Sequence, residues 1–188
     1  MKIIFIGSVI FSKIVLENLL NYKVKINGVI SLKLNKKSFK SDFYDLKKIC
    51  KDNNISNIST SNINDKKNIS WIKKINPDLI LCVGWSQKIS KELLSIPRIG
   101  LIGYHPSLLP TNRGKHPIVW ALALGLQKTG STFFKMDSKI DNGKIISQKT
   151  IKISKNDDAT SLYYKLADIA KIQILSILKK IKKTIKFQ

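Results

Sequence analysis

The chain has little of what marks a secreted, membrane-spanning, metal-binding or base-reading protein. It holds two cysteines, Cys50 and Cys82, and their separation of 32 positions fits no metal knuckle or redox pair, so they read as buried thiols. No apolar run approaches the roughly 18 residues of a membrane span. Residues 1–7 are too short, and too soon followed by a helical pattern, for a signal peptide. Together these absences lead to the expectation of a cytoplasmic protein with no membrane partner and no metal. Acidic residues number 12 against 34 basic ones, for a net charge of +22, yet only Arg98 and Arg113 are arginine. Base-reading proteins carry arginine and a recognisable docking motif. Here lysine is spread along a chain that is also rich in asparagine and isoleucine. The charge therefore reads as compositional bias, and nucleic acid is not an expected partner, although a positive field can attract a phosphorylated substrate. Glycine is sparse in the turn after the first apolar run, where Gly7 stands alone. The G-x-G-x-x-G fingerprint of dinucleotide sites is absent.

What is present is an alternation of short apolar runs and helical patterns. At 188 residues the chain can bury a proper core as one domain, expected over 1–188. A run at 2–6, a tight turn and a helical pattern through Phe11, Ile14, Val15, Leu19 and Leu20 form the opening of a doubly wound sheet. Further strands are expected at 24–32, 56–60 (a short edge), 99–104, 130–135 and 145–153, and helices at 43–51, 69–75 and 117–126. Residues 33–42 read as a mobile polar loop. The run 78–83 is continuously apolar, as in a central parallel strand covered on both faces. Residues 84–89 follow at its carboxyl end, where open α/β sheets hold ligands. A long terminal helix carries Leu162, Leu166, Ile169, Ile177 and Ile181 on one face and is capped by Asp157 or Asp158. Its lysine-rich end, 179–186, reads as a solvated helix terminus, with membrane or RNA contact as the lesser alternative. The fold class is α/β, with an open, mostly parallel Rossmann-like sheet and helices on both faces.

One stretch differs from all of this. Residues 104–120, YHPSLLPTNRGKHPIVW, hold three of the five prolines, both histidines and one of the two arginines. Pro106, Pro110, Gly114 and Pro117 forbid continuous helix or strand, so this is a shaped loop between rigid elements, the usual place for reactive groups. Pro117 suits a first helical turn. Downstream, Met136-Asp137-Ser138-Lys139-Ile140-Asp141-Asn142-Gly143 forms a second turn-rich loop. His105 alone would pass for a hydrogen-bonded core residue; its company in the loop argues otherwise.

His-Pro-Ser-Leu-Leu-Pro followed by Arg-Gly, then Pro-Ile and Trp, then Asp-x-Gly, resembles the signature of the N10-formyltetrahydrofolate-dependent formyltransferases, and the 36 positions between His105 and Asp141 suit that family's catalytic pair. The resemblance runs from Met1 to about Ile177. It implies the formyltransferase fold and N10-formyltetrahydrofolate as formyl donor. His105 would serve proton transfer and Asp141 would orient it. Trp85, Gln87, Ile89, Met136, Ile140 and Asp141 would hold the folate. Ser8, Ser107, Arg113, Gly114 and Lys115 would hold the acceptor. On residue type alone Trp85 is more often core than a ligand platform, and the resemblance brings the two readings level.

Gly103 departs from the pattern. The resembling family places an asparagine two residues before the histidine, as donor to the formyl oxygen, and glycine offers none. His116, Asn112, Gln87, a backbone N–H or water are the substitutes the sequence suggests. Among the branches, the glycinamide ribonucleotide enzymes use a glycine-rich phosphate loop that Gly7-Ser8-Val9-Ile10 does not match. Methionyl-tRNA formyltransferases and formyltetrahydrofolate hydrolases carry an additional domain for which 188 residues leave no room. The expected acceptor is therefore a small-molecule amine, a nucleotide-linked amino sugar. The alternatives are a methionyl-tRNA formyltransferase-like enzyme without its C-terminal domain and a degenerate folate- or nucleotide-binding protein.

Overall fold

The computed structural model describes residues 1–34 and 42–186. Most of the loop expected at 33–42 lies outside the described residues. The chain divides into two compact units, Met1–Ile102 and Gly103–Gln188.

In the first unit, β1 (Ile3–Ile6), β2 (Gly28–Leu32), β3 (Asn57–Thr60) and β4 (Leu79–Cys82) lie in the order β3-β2-β1-β4 with every pairing parallel. Successive side chains of a strand face opposite ways. Yet Ile3 to Ile6 are at most 1% exposed and Leu79 to Cys82 at most 5%. Both faces of the sheet are therefore covered, which is why these strands read as unbroken apolar runs. The covering helices of this unit are α1 (Ile10–Asn21), α2 (Lys47–Asp52), α3 (Lys66–Ile75) and α4 (Lys91–Ser95). Helix α4, not expected from the sequence, starts at Ser90, whose side chain accepts the Leu93 N–H at 3.2 Å.

Two expected elements shrink for local reasons. The second strand begins at Gly28 rather than residue 24, because Val24 donates back to the Leu19 carbonyl at 2.9 Å and closes the end of α1. Gly28 itself lies under Trp71 of α3, where a Cβ would stand 2.5 Å from the indole. The helix expected at 43–51 begins only at Lys47, because Phe43 bridges to Val9 and Tyr44 donates to the Ser8 carbonyl at 3.0 Å.

β5 (Gly100–His105) carries the chain from one unit into the next, and the full sheet order is β3-β2-β1-β4-β5-β6-β7. In the second unit β6 (Lys128–Lys135) and β7 (Ile145–Lys152) form an antiparallel pair, with a register shift between Phe133 and Phe134. α5 (Pro117–Ala123) has Pro117 in its first turn as expected, but stops three residues early where Gly125 turns to φ +61°. α6 (Ala159–Lys186) packs on β6 and β7. Its cap is Asp158: the carboxylate accepts the Ser161 N–H at 2.7 Å while Ser161 Oγ accepts the Asp158 N–H at 3.0 Å. The buried stripe is Leu162, Leu166, Ala170, Gln173, Ile174 and Ile177, whereas Ile169 and Ile181, expected on it, sit half-buried at its margin. Each large aliphatic side chain so buried contributes about 1.5–3 kcal/mol. Among the described residues no helix is long and apolar enough to cross a membrane, and no cluster of metal-ligating side chains occurs.

Candidate active site

The site is best built from the loop outward. Between β5 and α5 the backbone has no regular structure, so each of its carbonyls needs a separate donor. β6 and β7 supply several of them. Thr129 Oγ1 donates to the Pro106 carbonyl at 3.4 Å, Thr132 Oγ1 to that of Ser107 at 2.6 Å, and Gln148 Nε2 to that of Leu109 at 2.9 Å. Within the loop, the Thr111 N–H reaches the Leu108 carbonyl at 2.9 Å and Ser107 Oγ reaches the Thr111 carbonyl at 2.8 Å. Gly130 makes room for this arrangement, since a Cβ there would stand 2.6 Å from the Leu108 side chain. The loop is thus clamped by two hydroxyls of β6 and an amide of β7. Sequence reasoning missed Thr129, Thr132 and Gln148. Thr129 and Thr132 sit at buried positions of β6, and Gln148 at a half-buried one of β7.

His105 ends β5 with its side chain 7% exposed. Its Nε2 lies 2.7 Å from the Asn112 carbonyl, and a carbonyl only accepts, so Nε2 carries a hydrogen. That leaves Nδ1, in the neutral ring, as the lone-pair nitrogen. Nδ1 lies 3.6 Å from Asp141 Oδ2, a charge-pairing distance rather than a hydrogen bond. Asp141 is aimed by its backbone. Its own φ is +47°, and two residues on, Gly143 passes so close to the Lys135 carbonyl that a Cβ would sit 1.6 Å from that oxygen. Only glycine fits there, which is the physical content of the Asp-x-Gly spacing. The Gly114 N–H donates to Asp141 Oδ2 at 3.0 Å and Arg113 Nε to the Asp141 carbonyl at 2.9 Å. The two loops singled out in the sequence therefore meet through His105, Arg113, Gly114 and Asp141. Asn112, Arg113, Lys115, Pro117, Trp120 and Leu124 line an open cleft of about 180 Å³ beside them.

The other expected site residues fare differently. Ser107 is fully buried and its hydroxyl donates to the Thr111 carbonyl within the loop. Met136 is half-buried against Gly103, and Ile140 is 65% exposed. In the first unit Ser8 is 1% exposed, and its N–H is taken by Ser12 Oγ at 3.1 Å. The Gln87 side chain accepts the Ile63 N–H at 3.0 Å and donates to the Ser61 carbonyl at 2.6 Å, which commits its amide to the fold. Ile89 is buried. Trp85 is half-buried with its indole N–H enclosed and, among the described residues, without an acceptor. Behind the loop, Tyr104 shares a hydroxyl contact of 3.1 Å with Ser131. Ser131 in turn donates to Gln173 of α6 at 2.6 Å, tying the helix to the sheet beside His105.

These contacts bring together a buried imidazole, a carboxylate facing it and a guanidinium held at the same residue. The family model described as Formyl transferase matches residues 1–178, and the chain belongs to that family. It is 34% identical over 171 residues to the methionyl-tRNA formyltransferase of Clostridioides difficile (strain 630), covering 90% of this chain and 55% of that protein. The chain thus spans little more than half the length of such relatives. Among solved structures it is similar to phosphoribosylglycinamide formyltransferase from Bacillus halodurans. That match has a TM-score of 0.82 at 18% identity and covers 96% of this chain and 95% of the other, a likeness of fold. It is also similar to WlaRD, a sugar 3N-formyl transferase solved in the presence of dTDP and 5-N-formyl-THF. There the TM-score is 0.71 at 26% identity, over 98% of this chain and 62% of that one.

Proposed function

We propose that the chain transfers a formyl group from N10-formyltetrahydrofolate to a primary amine, and that the amine belongs to a nucleotide-linked amino sugar. The observation that carries the chemistry is the His105–Asp141 pair at 3.6 Å on two loops fixed to one sheet. The amine attacks the formyl carbon, and the carbonyl electron pair moves onto oxygen. His105 Nδ1 takes the proton the amine sheds, and the imidazolium so formed lies beside the Asp141 carboxylate, which stabilises it. Collapse breaks the bond to N10, and the proton passes to that nitrogen. The products are a formamide and tetrahydrofolate. Folate placement against the loop of Met136, Ile140 and Asp141 belongs to the same proposal, as does acceptor binding by Arg113, Gly114 and Lys115.

A second acceptor, methionyl-tRNA, is favoured by one specific observation, the 34% identity to a methionyl-tRNA formyltransferase. Both acceptors are polyanions and both suit a net charge of +22. The test is incubation of the protein and formyl donor with a panel of nucleotide-linked amino sugars and with methionyl-tRNA, reading the formyl mass increment on each. His105→Ala and Asp141→Ala should each slow transfer by about 10²–10⁴-fold. Transfer unaffected by loss of His105 would overturn the mechanism.

A further inference from the structure

Residues 103 and 105 of β5 share one face of the sheet, so a side chain at 103 would project beside the imidazole. The structure fills that volume with apolar groups. A Cβ on Gly103 would stand 2.8 Å from both Cγ and Sδ of Met136 and 3.0 Å from Cζ of Phe134. Neither neighbour carries a hydrogen-bond donor. Two of the substitutes suggested by the sequence are committed: the Gln87 amide holds the 61–63 segment and the Gly114 N–H is on Asp141; the Asn112 side chain, which lines the same cleft as Arg113, is the uncharged alternative. His116 stands at the start of α5 with φ +56°, exposed.

Arg113 differs. Its Nε contact to the Asp141 carbonyl pins the guanidinium at the residue whose carboxylate faces His105. A guanidinium has five N–H donors in a planar fork, and among the described residues only the Nε hydrogen has a partner. We infer that Arg113 supplies the N–H donor to the formyl oxygen which a side chain at position 103 does not. The inference rests on the formyl-transfer reading above. As the amine nitrogen bonds to the formyl carbon, the electron pair driven onto oxygen meets a fixed cation. When that pair returns and the bond to N10 breaks, the contact relaxes. A guanidinium in this role also explains why the gap at 103 can be closed by a thioether: no donor is required from that side.

The test uses the whole chain and does not depend on which amine is the acceptor. Two folates are compared by equilibrium binding. One is a 10-formyl analogue with carbon in place of N10, whose aldehyde hydrates to a tetrahedral carbon. The other is the same folate lacking the formyl group. Arg113→Ala should weaken the hydrated aldehyde by about 10²–10³-fold, the usual effect of losing an oxyanion donor, and leave the deformylated analogue unchanged. Arg113→Lys should recover part of the loss, because the charge stays while the planar fork does not. Equal loss for both analogues, or loss for neither, overturns the inference and leaves Arg113 as an anchor for the Asp141 segment. A wild-type chain that binds neither folate overturns the formyl-transfer reading itself, and the inference with it.

Discussion

Replacing Gly103 by alanine places one methyl group where the structure has no room for it. Three heavy atoms lie within 3.0 Å of the new carbon, two on Met136 and one on Phe134. Phe134 is 2% exposed and has nowhere to go, whereas Met136 is half-buried and unbranched, so the thioether must move. Overpacking of this kind costs about 1–3 kcal/mol. A smaller gain of about 0.4–1 kcal/mol, from restricting the unfolded chain, offsets part of that cost. The net loss for a chain of this size corresponds to a fall in Tm of about 2–8 °C. Thermal and urea unfolding of Gly103→Ala, Met136→Ala and the double variant form a cycle. The double variant should be more stable than the sum of the singles predicts, by at least about 0.5 kcal/mol, because removing the thioether opens the space the methyl needs. Gly103→Asn should be worse than Gly103→Ala and should not raise transfer. An unchanged Tm for Gly103→Ala, or additive singles, would refute the packing argument, and with it the claim that no donor fits at 103.

Thr132→Val keeps the shape of a fully buried residue but removes the hydroxyl from the Ser107 carbonyl, and should cost about 1–3 kcal/mol in urea unfolding; a neutral result would mean the loop is not held from β6. Burial, with a smaller push from Asp45, raises the Cys50 thiol to about 11, and Cys82 is also buried. Neither should react with a thiol reagent at pH 8 until denaturant is added, and rapid labelling of the native protein would contradict the packing of both. The Lys165 side chain, followed by the Ser154 N–H, holds the Asp157 carboxyl down to about 2. A depressed carboxyl contributes stability above its ordinary value of about 3.9 and loses it as pH falls through the folded value. Stability measured from pH 4 to pH 2 should therefore decline, and Asp157→Asn should flatten that decline; an unchanged slope in the variant would remove Asp157 from the account.

The fold was legible because burial on both faces leaves a plain mark. The apolar runs of β1 and β4 could be placed within a residue or two, since every side chain on them is covered. Boundaries set by single backbone contacts were not legible. Nothing at residues 24–27 announces that Val24 will turn back onto Leu19, and nothing at Phe43 announces a bridge to Val9. In the site, His105, His116 and Arg113 stood out because the chain has only two histidines and two arginines. Ser107 and Gln87 are less legible for the opposite reason: small polar groups serve a loop's own backbone as readily as a ligand, and sequence does not distinguish the two uses. In this structure their side chains hydrogen-bond to the backbone of their own chain.

His105, Arg113, Gly114 and Asp141, together with the clamp of Thr129, Thr132 and Gln148, all belong to the unit Gly103–Gln188. Each is oriented by contacts inside that unit. The imidazole is turned by the Asn112 carbonyl, and the carboxylate by a backbone that only Gly143 can follow past Lys135. Small misplacements of such groups cost large factors in rate, so a pair fixed by its own local scaffold can keep its geometry while the surfaces that select an acceptor diverge. The relatives carry names as different as methionyl-tRNA formyltransferase and sugar 3N-formyl transferase. Position 103 is closed by Met136 and Phe134, and the Arg113 guanidinium is anchored instead to the backbone of Asp141, the residue whose carboxylate faces His105.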